Sequence, residues 1–239
     1  MTDRRVLYSH PGCPFAHRTR ALLNHLEVDF ELRDTSLIFK DREFMRLSPT
    51  GKVPMWVEAD GSVLFESAII AEYLGESVGF AGWSEDAPTR ARQRLAVQQF
   101  DAVIVPLLFY RPVRMWPLRW LRARERRAID GELDLLESLV ESTPTRSHLG
   151  LMLAPFWVRF RLISFMIGAE ATMRSRPRLA AWLDEAAQLP EVQVTMADKA
   201  AYAMRYRSMR RAAMVTYSVC AAAAVAVVVA VIVSALALW

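Results

Sequence analysis

The spacing of apolar and polar positions changes several times along the first eighty residues. Val6, Leu7 and Tyr8 lie in a short β-prone run from Arg5 to Ser9. In CPFAHRTRALLNHL the period turns helical, with Phe15, Ala21, Leu22 and Leu26 on one stripe. Pro14 suits the first helical position, where its missing N–H costs nothing. VDFEL alternates as a second strand, and residues 37–47 can form a short helix. SPTGKVPMWVEADGSVLFE then reads as a loop, a strand, a turn at Asp60-Gly61 and another strand. Ser67 caps a helix over SAIIAEYLGE. The order β-α-β-α-β-β-α predicts a small thioredoxin-like α/β domain over residues 1–80.

VGFAGWSEDAPTR carries glycine and proline and places a linker at 81–86. Beyond it the pattern is helical, with helices expected at about 87–110, 118–142, 147–168, 177–188 and 191–211, an all-α domain over 87–211. Residues 149–168 are apolar enough to resemble a membrane span, but Arg159, Arg161 and Pro155 inside them predict a buried core helix. The 28 residues Ala212 to Trp239 contain no charge. At about 1.5 Å per residue they exceed the roughly 30 Å of a bilayer's hydrocarbon core, which predicts a transmembrane helix over 212–239. Arg205, Arg207, Arg210 and Arg211 precede it and nothing follows Trp239, so the expectation is a single-pass tail anchor with the folded part on the cytoplasmic side.

Charge sharpens this picture. The net charge of +4 divides into −5 over residues 1–86 and +9 over 87–239. A basic half leading into an apolar segment suits anionic lipid headgroups. No zinc spacing, helix-turn-helix signature or RNA-binding motif is present, so no nucleic-acid partner and no metal is expected. The use of 27 Arg against 3 Lys hints at a GC-rich genome, hence a bacterial inner membrane ahead of a mitochondrial outer membrane. The two cysteines, Cys13 and Cys220, fall in different phases; they form no disulfide framework and fit a reducing compartment. MTDRRVLYSH has no apolar run of a secretory signal.

Candidate chemistry centres on YSHPGCPFAHRTR, residues 8–20. A helix start lowers a cysteine pKa, so Cys13 before Pro14 is expected to be a thiolate. Ala16 stands where a dithiol motif has its second cysteine, so this is a monothiol that must form and release a mixed disulfide. Val53-Pro54 precedes a strand and suits a cis bond, which would turn the Val53 backbone toward a peptide-like ligand. Glu66-Ser67 opens a helix and offers N–H groups and a hydroxyl to a carboxylate. A tripeptide with a thiol and free carboxylates matches all three features.

On CPFAHRTR, SPTGKVPMW and GSVLFESAIIAEYL, residues 6–80 resemble the N-terminal domain of glutathione transferases, closest to the omega class, without a gap from Cys13 through Ser67. The helical remainder is similar to the family's C-terminal domain more loosely. The resemblance implies a thioredoxin-like domain plus an all-α domain, with glutathione as cosubstrate. It implies that Cys13 forms the mixed disulfide with glutathione and that Phe15 packs beside it. Lys40 would meet the glycine end of the tripeptide. Val53, held by Pro54, would pair through its backbone with the cysteinyl residue, and Glu66 and Ser67 would hold the γ-glutamyl group. Thiol transfer, deglutathionylation and reduction of dehydroascorbate or related electrophiles are the implied activities.

Several positions depart from that pattern. SHLGLMLAPFW has Ser147 as a helix cap but Gly150 where the family's capping box carries aspartate, and the loop before it, ESTPTRSH, is short. This predicts an altered or partner-supported segment. His17 replaces a more usual acidic or amide residue; with His10 it is read either as tuning the thiol or as structural. The stretch from Phe109 to Arg127 holds seven arginines with Tyr110, Trp116 and Trp120 between them. It reads as a solvated basic face, a membrane-surface patch, or a pocket for a large anionic or quinone-like substrate. Ser218, Ala222, Ala226, Ala230 and Ser234 form a small-residue stripe suited to a transmembrane helix partner. Two functions follow: a membrane-tethered, omega-like glutathione transferase acting as a thiol transferase, or an accessory subunit of a larger membrane complex with little or no catalysis. The assembly is accordingly a homodimer or a membrane complex.

Overall fold

The computed structural model describes residues 4–36, 40–80, 82–109, 121–167, 173–196 and Val215. The N-terminal domain runs β1 (Val6–Ser9), α1 (Pro14–His25), β2 (Glu31–Asp34), α2 (Arg42–Leu47), β3 (Met55–Val57), β4 (Val63–Phe65) and α3 (Ser67–Ser77). The strands form one sheet in the order β2-β1-β3-β4, with β2 parallel to β1 and the other neighbours antiparallel. This is the expected thioredoxin-like order. β1 is buried along its whole length because both faces of the sheet are covered. Leu7 and Trp56 face α1, α3 and the helical domain, whereas Val6, Tyr8, Met55 and Val57 face Phe44 of α2. That division is the two-residue alternation of a strand.

Element ends differ from the sequence reading where local chemistry decides them. β2 begins at Glu31 rather than Val28, because Glu27 turns the chain at φ 52° and the Val28 N–H returns to the Leu23 carbonyl. α2 starts at Arg42, where the Asp41 carboxylate accepts the Phe44 N–H at 2.7 Å. The α3 cap is Glu66, not Ser67; Ser67 is the first helical residue, and the Glu66 side chain makes no capping bond. The Asp60-Gly61 turn forms as expected, with Gly61 at φ 88° and the Asp60 carboxylate accepting the Ser62 N–H.

The helical region holds α4 (Ala87–Phe109), α5 (Leu121–Val140), α6 (His148–Ile167), α7 (Pro177–Ala186) and α8 (Pro190–Val194). α6 is the expected core helix: Leu149 to Phe160 are buried and pack against α1, α4 and α7. One hydrophobic core therefore runs from Leu7 and Leu22 through Phe100 and Phe156 to Leu183 without a break between the domains. The helix expected over 191–211 is interrupted: α8 ends at Val194, with Thr195 as its C-cap and Met196 outside the helix. Residues 197–211, the anchor at 212–239 apart from Val215, with its whole stripe, and most of the arginine-rich stretch lie outside the described residues. Among the described residues no helix is long and apolar enough to cross a membrane.

The linker is tied to α6. The His148 N–H donates to the Gly82 carbonyl at 2.9 Å, and its ring stacks on Trp83 with centroids 4.1 Å apart. Desolvation, followed by the nearby charges of Arg18, Arg94 and His25, holds the His148 imidazole down to about 3. Burial likewise holds His17 well below its ordinary value. An unfolded imidazole titrates near 6.5, so below that pH the unfolded chain takes up protons that these two rings refuse. Their contribution is complete above about pH 6.5 and is lost as pH falls, at roughly 1.4 kcal/mol per pH unit for each ring. Chemical denaturation is expected to show about 4 kcal/mol less stability at pH 5 than at pH 7, and His17→Gln roughly half that loss. A stability that stays flat across this window would contradict the two neutral rings.

Candidate functional site

Register brings the sequence-predicted residues to one end of the sheet. The β1–β3 and β3–β4 pairs are antiparallel, with Tyr8 opposite Met55 and Met55 opposite Phe65. The C-terminal end of β1, the N-terminal end of β3 and the C-terminal end of β4 therefore lie side by side. From them emerge the loop carrying Cys13, the Val53-Pro54 step and the Glu66-Ser67 corner. β2 is parallel to β1, so the chain leading to Lys40 leaves from the same end.

Cys13 is the N-cap of α1, with Pro14 at the first position of the helix. Its Sγ lies 3.8 Å from the Val53 carbonyl, and the N–H groups of Ala16 and Phe15 point toward it. The Val53-Pro54 bond is cis, as the sequence suggests. The thiol itself corrects an expectation. Burial pushes Cys13 above its ordinary value, and the N–H groups of Ala16 and Phe15, with the charges of Arg159 and Arg20, offset this only in part. The helix start pulls in the expected direction, but loss of hydration outweighs it.

The other predicted residues take distinct places. Phe15 serves the thiol through its backbone N–H; its ring packs edge-on against Phe156 of α6 at 4.9 Å. Lys40 reaches over Phe44, with Nζ 5.5 Å from the ring centroid, and lies against Gly51 in the loop that leads to Val53. Glu66 adopts φ 65°, ψ 118°, a strained backbone for a residue with a side chain. Ser67 is buried, and its hydroxyl accepts from Arg18 at 3.4 Å.

Three arginines complete the surroundings of the site; Arg18 and Arg20 belong to the CPFAHRTR stretch, and Arg159 comes from α6. Arg18 is fully buried and grips Asp101 of α4 in a fork, at 2.9 and 2.6 Å. Arg20 donates to the Ser9 hydroxyl at 2.5 Å and to the Thr195 carbonyl. Arg159, the mid-helix charge that argued against a membrane span, enters from α6 and reaches the Pro11 carbonyl. His17 is structural: it is wholly buried between α1, α6 and α8, with Nε2 2.9 Å from the Val192 carbonyl. Backbone N–H groups and buried arginines around a thiol suit disulfide exchange with a small peptide-like thiol. Among the described residues no group of three or more His, Cys, Asp or Glu side chains is placed to hold a metal ion.

Comparison with known proteins agrees with this geometry. Residues 12–77 match the family model described as Glutathione S-transferase, N-terminal domain. Glutathione S-transferase omega-1 of Sus scrofa is 31% identical over 102 residues, which are 43% of this chain and 42% of that protein. The matched part spans about two fifths of the length of the curated relatives. Glutathione transferase Omega 1C from Trametes versicolor superimposes with a TM-score of 0.69 at 17% identity, covering 87% of this chain and 97% of that one. A glutathione transferase family member from Pseudomonas fluorescens, with two glutathione bound, gives 0.65 at 19% identity, covering 81% and 92%.

Proposed function

We propose that this chain, which has the glutathione S-transferase fold and an omega-like N-terminal domain, is a glutathione-dependent thiol transferase working through the single thiol of Cys13. The observation that carries the reading is the convergence of Cys13, Val53, Glu66 and Ser67 at one end of the sheet, in the domain that matches the family. Glutathione would lie along this edge. The Val53 backbone would pair with its cysteinyl residue, the α3 start at Glu66-Ser67 would take the γ-glutamyl carboxylate, and Lys40 would take the glycine carboxylate.

The cycle has two exchanges. Cys13, as thiolate, attacks the glutathione sulfur of a mixed disulfide. A Cys13–glutathione bond forms as the substrate bond breaks, and the displaced thiolate takes a proton from solvent. A second glutathione, as thiolate, attacks that bond; oxidised glutathione leaves and the Cys13 thiol is restored. The uncharged segment 212–239 and the arginines before it support a tether that holds this chemistry at a membrane, facing the cytoplasm, on lipid-borne or membrane-protein substrates.

The test uses the full-length chain in detergent, in a Cys220→Ser background, with oxidised glutathione and intact mass as the readout. One glutathione adduct is expected, absent in Cys13→Ala and reversed by reduced glutathione. A folded protein that forms no adduct would sink the transferase reading and leave the fold as a docking module for a membrane complex.

A further inference from the structure

Arg159 is a charged side chain 1% exposed in the middle of a largely apolar helix. One of its nitrogens is shared by two acceptors, the Pro155 carbonyl of its own helix at 2.8 Å and Nδ1 of His17 at 2.8 Å. The other donates across the domain boundary to the Pro11 carbonyl at 3.3 Å, two residues ahead of Cys13. The partners settle the state of His17. Arginine only donates, so Nδ1 must be the acceptor; the Val192 carbonyl only accepts, so Nε2 carries the proton. The ring is a neutral prop with a fixed tautomer, held between α1, α6 and α8.

We propose that Arg159 is a positioning residue for Cys13: from the helical domain it anchors the Pro11 carbonyl of the thiol loop and lends the thiol a permanent positive charge, with the neutral His17 ring as its support. The inference rests on the reading of Cys13 as the reacting thiol. Other charged and titratable groups around that thiol have places of their own. Arg20, on α1, is engaged with Ser9, the His10 carbonyl and Thr195, with Asp34 at the end of β2 acting on it. The His10 ring accepts the Gly12 N–H at 3.0 Å. Lys40 lies beyond, over Phe44 and Gly51. Arg159 thus brings its charge to the thiol from the second domain, whereas Arg20 brings its own from α1. Its removal disfavours the thiolate, in agreement with the direction in which it acts on Cys13.

Alkylation of the full-length Cys220→Ser protein by iodoacetamide, followed from pH 6 to pH 10, tests this without glutathione, so its failure is separable from failure of the transferase reading. Arg159→Met is expected to react about tenfold more slowly at pH 7, with its profile displaced to higher pH rather than lowered at every pH. Arg159→Lys, which keeps the charge, is expected to stay within about threefold of the parent. An Arg159→Met profile that superimposes on the parent, or Arg159→Lys as slow as Arg159→Met, would overturn the proposal. If Arg159→Met does not fold, imidazole nitrogen NMR of the parent decides. His17 is expected as the Nε2–H tautomer, unchanged from pH 5 to pH 8, and a His17 that titrates in that range would overturn it.

Discussion

Replacing Gly150 by aspartate, which restores the acid of the usual capping box, is expected to destabilise the protein by about 3 kcal/mol or more. Ser147 already makes its half of the box, accepting the Gly150 N–H at 3.3 Å. The space an aspartate side chain would need is taken: a Cβ at Gly150 would fall on the Thr145 carbonyl oxygen. That oxygen belongs to backbone with little room to retreat. The Thr143 carbonyl accepts from the Trp182 indole at 2.7 Å, the Thr143 hydroxyl accepts from Gln93, and Thr145 donates to Glu185 at 2.8 Å. The short ESTPTRSH loop is therefore supported from within the chain, by α4 and α7. At about 2–4 °C of melting temperature per kcal/mol for a chain of this size, Gly150→Asp should melt about 10 °C below the parent. Gly150→Ala should show most of the same loss, since the clash begins at Cβ. An aspartate variant more stable than the parent would mean that the loop does not pack as described.

What was legible in the sequence was what local chemistry writes down. Pro14 after Cys13 marked a helix start, Asp60-Gly61 marked a turn, and the stretch before it marked a strand. Arg159, Arg161 and Pro155 marked α6 as a core helix although most of its residues are apolar. Features set by distant partners were not legible. His17 stands 142 residues from Arg159 and 175 from Val192, and only the fold reveals that its ring is a prop rather than a modulator exposed to solvent. Gly150 read as a lost acid because the sequence cannot show a carbonyl filling the site. The thiol was misjudged for a related reason. A helix start is visible in sequence, but the wall of Val53, Tyr8, Met55 and Ala16 that dries the sulfur is not.

That drying bears on how the site would work. A thiol pushed above its ordinary value is protonated for most of its time at neutral pH, yet a thiolate formed there is the more nucleophilic for its higher basicity. Fixed N–H groups of Phe15 and Ala16, and the charges of Arg159 and Arg20, favour the thiolate without themselves titrating near neutrality. In the proposed cycle such a thiol would rest protonated and react as thiolate with a disulfide that reaches it.

The second large effect is expected at Arg18. Its guanidinium packs over the rings of Phe156 and Phe15, 4.5 and 5.4 Å from their centroids, and ties α1 to Asp101 of α4 and Ser67 of α3. Arg18→Met fills much of the same volume but leaves the Asp101 carboxylate without its fork. Removing one member of a fully buried pair costs about 3–5 kcal/mol; Asp101 keeps 24% of its side chain exposed and recovers part of its hydration, which brings the expected loss to about 2–3 kcal/mol. Denaturant melts should show it directly. The informative variant is the double one. Arg18→Met with Asp101→Leu removes both charges, and because an ion pair has already been charged the cost of leaving water, stability should return to within about 1 kcal/mol of the parent. Simple additivity would instead mean that the two side chains stabilise the fold separately, through packing alone. Glutathione adduct formation separates the remaining role. The Ser67 hydroxyl loses its Arg18 donor in the single and the double variant alike, so adduct formation should slow in both, including the double variant whose stability has recovered.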